Sequence, residues 1–266
     1  MKRALRLVRL ALYLATLLIR PPSRAWACGM LAALGVRLDA EPLDIAPGSL
    51  VVANHVSWLD ALALRALLDA TFVAKVEVRR WPVLGWLLER NGTLFIERRP
   101  CRGLLRVNAQ VAARLACGES IAAFPESTST HGTGVLPFKP ALFEPAVRGG
   151  HPVRALALAY CDENAKRSAA VAFVGDTTLG QSLWAVAAQS GLVVKIRDCS
   201  PPDMTGYDRK QAARAAHAAV QSKVCGSGSL PARQEAPGLS GSGSPAGWMP
   251  SSAGPTWPSS TEVSRT

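Results

Sequence analysis

The chain has 266 residues, 48% of them hydrophobic, enough for one sizeable core or two small ones. A charged fraction of 18% and a mean hydropathy of +0.14 argue against a wholly disordered chain. Lys and Arg outnumber Asp and Glu by 30 to 19, and the resulting +11 suits an anionic partner: nucleic acid, a phospholipid surface or an acidic substrate.

Residues 1–20 read MKRALRLVRLALYLATLLIR. Apolar residues recur at Leu5, Val8, Leu12, Ala15 and Ile19, close to helical spacing. Arg6 and Arg9 interrupt the run, so it falls short of a bilayer span, and Pro21, Pro22 and Arg24 follow where a signal peptide would carry a small-residue cleavage site. The pattern predicts an in-plane amphipathic helix with arginines at the headgroups. Pro21-Pro22 stops it, and a second apolar stretch, 25–38, completes a two-helix membrane-associating motif.

From residue 49 the pattern changes to short β-like runs alternating with helical stretches. Strands are expected at 49–53, 71–75, 93–96, 120–124, 152–160, 170–175 and 191–199. Helices are expected at 59–69, 81–90, 102–117, 140–148, 179–189 and 206–224. This alternation predicts an α/β fold with a mixed, mostly parallel central sheet flanked by helices. The tail, 226–266, is rich in Gly, Ser and Pro and is expected to be disordered. Its charges, Arg233, Glu235, Glu262 and Arg265, cancel, so the basic excess belongs to residues 1–225. The expected division is therefore 1–38 membrane-associating helices, 39–225 α/β domain and 226–266 tail.

Residues 51–60, VVANHVSWLD, carry the clearest chemistry. On one continuous helix His55 and Asp60 would sit about 140° apart. A contact between them therefore needs His55 in a turn and Asp60 in the first turn of the next helix. Ser57-x-x-Asp60 reads as a capping box that would start that helix, and a cap alone would also account for Asp60. A carboxylate beside an imidazole fixes its tautomer and stabilises its cation, which suits a general base. No G-x-S-x-G elbow is present, so the proton to be taken is expected on a substrate hydroxyl.

Asn54-His55-x-x-x-x-Asp60 resembles the N-H-x-x-x-x-D block of the glycerolipid acyltransferases. Three further segments follow in that family's order. Gly92-Thr-Leu-Phe95-Ile96-Glu97-Arg98 is similar to its second block, G-x-x-F-I-x-R. Phe124-Pro125-Glu126-Ser127-Thr128 is similar to its third, F-P-E-G-T-R. His151-Pro152-Val153 stands where a fourth, proline-containing block leads into a strand. Ala74-Lys75 and Trp81-Pro82-x-x-Gly85-Trp86 also resemble the stretch between blocks one and two.

The resemblance implies transfer of an acyl group from a thioester, acyl-CoA or acyl-carrier protein, to a lysolipid hydroxyl, with no cofactor and no metal. It implies His55 as base and Asp60 as its orienter. It implies Asn54, Lys75, Gly92, Arg98, Glu126, Thr128 and Lys139 as substrate-binding residues, Arg98 toward the acceptor's phosphate. The third block departs from the pattern, with Ser127 in place of Gly and Ser129 in place of Arg. A subgroup that acylates lyso-ornithine lipid resembles this region, with Thr-Ser and a following L-P-F-K. The first acceptor implied is 1-acyl-sn-glycerol-3-phosphate, with lyso-ornithine lipid as the alternative. The enzyme would sit on the cytoplasmic face of the inner membrane, as a monotopic or peripheral protein with phospholipid and not nucleic acid as its partner. Two other classes remain open on the sequence: a lipid ester hydrolase using the same pair on water, and a non-enzymatic basic membrane-binding protein.

Overall fold

The computed structural model describes residues 2–16, 23–81, 84–96, 101–200 and 204–226. Its centre is a seven-stranded sheet built from β1 (Val36–Ala40), β2 (Leu50–Ala53), β3 (Ala70–Lys75), β4 (Leu94–Ile96), β5 (Ser120–Ala123), β6 (Val153–Cys161) and β7 (Leu192–Asp198). The strand order is β1-β7-β6-β2-β5-β3-β4. Strands β6, β2, β5, β3 and β4 run parallel. The sense reverses once, where β7 pairs antiparallel with β6, and β1 lies parallel to β7. The sheet is thus mixed and mostly parallel, as the alternating pattern predicted.

Eight α-helices accompany it among the described residues: α1 (Lys2–Thr16), α2 (Arg24–Leu34), α3 (Leu59–Leu67), α4 (Leu84–Arg90), α5 (Cys101–Ala116), α6 (Glu144–Gly149), α7 (Leu179–Ala188) and α8 (Arg209–Gly226). All four residues of β2 are buried, which requires helices on both faces of the sheet. Val51 and Ala53 join a core built with α2 and α3, including Leu31, Leu34, Leu59 and Leu64. Leu50 and Val52 point the other way, into a second core with Val111 and Leu115 of α5 and Ala216 and Val220 of α8.

The amino-terminal segment is more deeply built into the domain than its sequence suggested. The expected boundary between residues 38 and 39 falls inside β1. Val36 and Leu38 extend the apolar residues past the helix, with Arg37 between them, but Gly35 ends α2 at φ +75°, and the chain turns straight into a strand. Ala27, Met30, Leu31 and Leu34 of α2 are buried in the core. Helix α1 packs through Leu7, Leu10 and Leu14, while Leu5, Val8 and Leu12 are exposed.

Arg6 faces inward and not toward a headgroup layer. Its guanidinium donates to the carbonyls of Ala187, at 3.1 Å, and Gln189, satisfying acceptors at the carboxyl end of α7. A Cβ at residue 35 would lie 2.4 Å from that guanidinium, so glycine there serves both the turn and the close approach.

The strand expected at 170–175 is instead a short 3-10 turn, Ala169–Val171, followed by irregular chain. The edge it would have filled is occupied, because β7 pairs directly with β6. The helix expected at 140–148 is split into a 3-10 turn, Pro140–Leu142, and α6. The tail expected at 226–266 falls, from residue 227 on, outside the described residues. No helix among the described residues is long and apolar enough to cross a membrane.

Candidate active site

The carboxyl ends of β2, β5, β3 and β4 lie at one edge of the sheet, because these strands are parallel. His55 follows β2 by two residues and Glu126 follows β5 by three. The strand registers therefore bring them to the same edge, the usual place for a site in a parallel sheet.

His55 Nδ1 and Asp60 Oδ2 are 2.8 Å apart. The side chain of Asp60 is fully buried and that of His55 is 25% exposed. Asp60 is held from all sides. Its Oδ2 also accepts the backbone N–H groups of Val56, at 2.6 Å, and Ser57, at 2.9 Å. Its Oδ1 accepts the Tyr160 hydroxyl at 2.7 Å. With Nδ1–H donated to the carboxylate, the ring's Nε2 is left as the acceptor. The His55 ring stacks on Phe124, centroids 4.3 Å apart, which fixes its plane. Burial pushes the Tyr160 phenol well above its ordinary range, reinforced by the neighbouring Asp60 carboxylate, so it stays a donor at neutral pH.

The capping box expected at Ser57 forms only by half. The Ser57 N–H reaches the Asp60 carboxylate, but Ser57 Oγ is buried with no hydrogen-bond partner among the described residues. The N–H of Asp60 goes instead to the Ser57 carbonyl, closing a turn. Asp60 thus has its capping contact and its histidine contact together, through one oxygen.

The third sequence block packs directly beneath the histidine. Glu126 is 3% exposed. Its Oε1 accepts the His55 N–H at 2.6 Å and its Oε2 the Leu136 N–H at 2.7 Å. Burial raises the Glu126 pKa, while those two N–H groups pull it back down. The N–H of Thr130 in turn donates to the His55 carbonyl at 2.8 Å. Glu126 was expected to shape an acceptor pocket, but both its oxygens are spent on backbone. It positions the histidine loop.

Two more expected substrate contacts take structural roles. Asn54 is fully buried, its amide bonded at both ends to Leu158 of β6, at 2.9 and 2.8 Å. Gly92 has φ +67° in the turn between α4 and β4, before β4 begins. It lies at the edge of the sheet opposite His55, and its type is explained by the turn. Lys75 ends β3 on the His55 edge. Thr128 is exposed just beyond Glu126, and exposed Lys139 is tied by its N–H to the Pro125 carbonyl at 3.0 Å. Arg98 lies outside the described residues.

The two departures in the third block have separate consequences. Ser127 takes φ +61°, the left-handed region where the family pattern has glycine. Ser129 donates its hydroxyl to the Phe173 carbonyl, and the Phe173 N–H bonds the Val56 carbonyl at 2.9 Å. The Phe173 ring meets Trp81 edge-on, and both line a cavity of about 270 Å³ with Thr177, Thr178 and Leu179. Sequence reasoning missed Tyr160 and Phe173, and it quoted Phe124 without reading its stacking on the histidine. Tyr160 lies 100 residues from Asp60, and no local spacing signals it.

An acyltransferase family model matches residues 38–159, and the chain belongs to that acyltransferase family. A 1-acyl-sn-glycerol-3-phosphate acyltransferase of Neisseria gonorrhoeae is 41% identical over 170 residues, covering 63% of this chain and 66% of the relative. A lyso-ornithine lipid O-acyltransferase of Pseudomonas aeruginosa is 36% identical over 204 residues, 77% of this chain and 78% of the relative. The fold is that of the crystal structure of the 1-acyl-sn-glycerophosphate acyltransferase PlsC from Thermotoga maritima. The TM-score is 0.56 at 18% identity, over 84% of this chain and 96% of that one. The chain spans just under two thirds of the length of the Neisseria relative.

Proposed function

We propose that the chain is a membrane-associated O-acyltransferase that moves a fatty acyl group from acyl-CoA or acyl-carrier protein to the free hydroxyl of a lysolipid. The observation that carries this reading is the oriented imidazole. Asp60 holds Nδ1, Phe124 holds the ring plane, and Nε2 is left to take a proton.

Nε2 takes the proton of the lysolipid hydroxyl as its oxygen attacks the thioester carbonyl. The tetrahedral intermediate collapses with loss of thiolate, and the imidazolium returns the proton to that sulfur. No covalent acyl-enzyme forms, and no cofactor is needed. General-base assistance of this kind is worth roughly 10²–10⁴ in rate. Lys75, Thr128 and Lys139 are the groups proposed to meet substrate from this edge, with Arg98 toward the acceptor's anionic end.

The first acceptor proposed is 1-acyl-sn-glycerol-3-phosphate. One observation favours the second reading, lyso-ornithine lipid. Ser129 replaces the third-block arginine, and its hydroxyl is turned to Phe173, so that position supplies no phosphate ligand. The broad match to the Pseudomonas relative points the same way.

Membrane association is proposed through α1, on the cytoplasmic face. Its exposed Leu5, Val8 and Leu12 form one stripe, and Arg9 is exposed beside them.

The test is acyl transfer from labelled acyl-carrier protein by membranes carrying the chain, with both acceptors offered side by side and His55→Ala membranes as the blank. Labelled phosphatidate supports the first acceptor, and labelled ornithine lipid alone supports the second. Donor consumption without labelled lipid would overturn transfer in favour of hydrolysis.

A further inference from the structure

A cleft of about 730 Å³ opens at the amino-terminal edge of the sheet, the end opposite His55. Its walls come from five places: the start of α2, the loop before β2, the α3–β3 junction, the turn before β4 and the turn before β5. Leu43, Ile45 and Leu68 make its apolar part. Three arginines line it: Arg24, Arg65 and Arg90. Two carboxylates, Asp69 and Glu119, line it as well.

These charges are not equally committed. Glu119 is already engaged by Arg114, at 3.2 Å. Arg65 is the unusual group. Its side chain is only 15% exposed, yet its one carboxylate partner among the described residues is Asp69, at 3.3 Å, whose own side chain is 94% exposed. It lies over the Phe72 ring, 5.6 Å from the centroid. A guanidinium has five donors, and its remaining N–H groups have no partner among the described residues. Those N–H groups open onto the cleft, where an anion can meet them. Arg24 stands exposed at the first turn of α2, the positive end of that helix dipole. Arg90 is exposed over the Trp86 ring and carries no carboxylate partner among the described residues.

We propose that this cleft is a second, anion-binding site, shaped for a phosphate monoester or diester set among Arg24, Arg65 and Arg90. Guanidinium groups fork onto phosphate oxygens, and a tetrahedral phosphate can engage several at once. Leu43, Ile45 and Leu68 cover whatever carbon the phosphate bears. The same chemistry is offered by an anionic phospholipid headgroup and by free phosphate. Arg24 brings to it the start of α2, part of the segment read as membrane-associating, which favours the headgroup. The proposal does not depend on the acyl-transfer chemistry at His55, and its test reads no turnover.

The experiment is arginine modification by phenylglyoxal on the full chain in neutral detergent, with each arginine read by peptide mass. Three probes are added in turn, against chloride at matched ionic strength: inorganic phosphate, dihexanoyl phosphatidate and dihexanoyl phosphatidylcholine. Arg24, Arg65 and Arg90 should be protected together, while Arg106 on α5 keeps its rate. Protection by phosphatidate alone assigns a lipid headgroup, and equal protection by inorganic phosphate assigns a free phosphate. Arg65→Gln should weaken the protection of Arg24 and Arg90 about tenfold or more. Should Arg65→Gln fail to fold, Arg90→Gln, at an exposed position, should weaken the protection of Arg24 and Arg65. Unprotected arginines with every probe, or protection that neither variant diminishes, would overturn the site.

Discussion

Glu126 accepts the backbone N–H of His55 at 2.6 Å, so the third sequence block holds the first one in place. Both carboxylate oxygens face N–H donors, and an amide in this position would turn an NH2 toward one of them. Glu126→Gln should therefore lower turnover by about tenfold or more, since a buried hydrogen bond to a charged group is worth about 1.5–3 kcal/mol. The pH dependence carries a definite sign. The folded pKa is raised above the ordinary value of 4.5, burial being the main cause. Glu126 then favours the folded state fully below about 4.5, and that contribution is lost as pH rises through the raised value. Melting curves of wild type and Glu126→Gln should show wild type losing ground across that window, and parallel curves would sink the argument. Activity should run the other way and rise as the carboxylate ionises.

Tyr160→Phe separates the histidine's orienter from the orienter's own support. The substitution leaves Asp60 Oδ1 without the hydroxyl 2.7 Å away, in a site with no exposure. The expected cost is about 1.5–3 kcal/mol of stability, with kcat falling more than KM rises. Because burial pushes the phenol well above its ordinary range, the alkaline limb of the pH profile should not move. Steady-state kinetics over pH, with urea unfolding of both proteins, checks both halves.

These two residues also mark how far the sequence could be read. The His55–Asp60 contact was legible through the family resemblance of the Asn54–Asp60 block, since the spacing alone also allowed Asp60 to be only a cap. The sheet was legible because its central strands, buried on both faces, are short apolar runs. What the sequence hid is long-range. Asn54 sits in the histidine block, yet its amide is a latch between β2 and β6, formed with a residue 104 positions away. Gly92 opens the second block, yet it serves a turn at the far edge of the sheet. The apolar run at 170–175 was indistinguishable from a strand by composition. Only the direct β6–β7 pairing excluded it, and no local pattern encodes that pairing. Arg6 belonged to a basic helix face by sequence and to the end of α7 by structure.

Ser127 offers a test of backbone strain. At φ +61° a non-glycine residue carries a cost of roughly 1–2 kcal/mol, partly offset by the greater freedom of glycine in the unfolded chain. Ser127→Gly should therefore stabilise the protein by up to about 1 kcal/mol, read as a rise in denaturant midpoint with unchanged slope. A drop in the midpoint would mean that the serine's own contacts outweigh the strain.

The membrane proposal is best tested on one helix, because removing α1 and α2 together would also strip buried Met30, Leu31 and Leu34 from the core. Leu5, Val8 and Leu12 are 52%, 57% and 63% exposed, so replacing all three with Ser removes little that holds the fold. Each such side chain is worth about 1.5 kcal/mol or more when taken out of water, so even one contributes about tenfold to partitioning. The triple variant should leave the melting temperature nearly unchanged and move the protein out of the vesicle-bound fraction in flotation assays. Leu10→Ala should do the reverse. Leu10 is 6% exposed and faces the core, so its loss should cost about 2 kcal/mol of stability while the vesicle-binding stripe stays intact. If the triple variant floats with vesicles as well as wild type does, the exposed stripe of α1 is not the membrane contact.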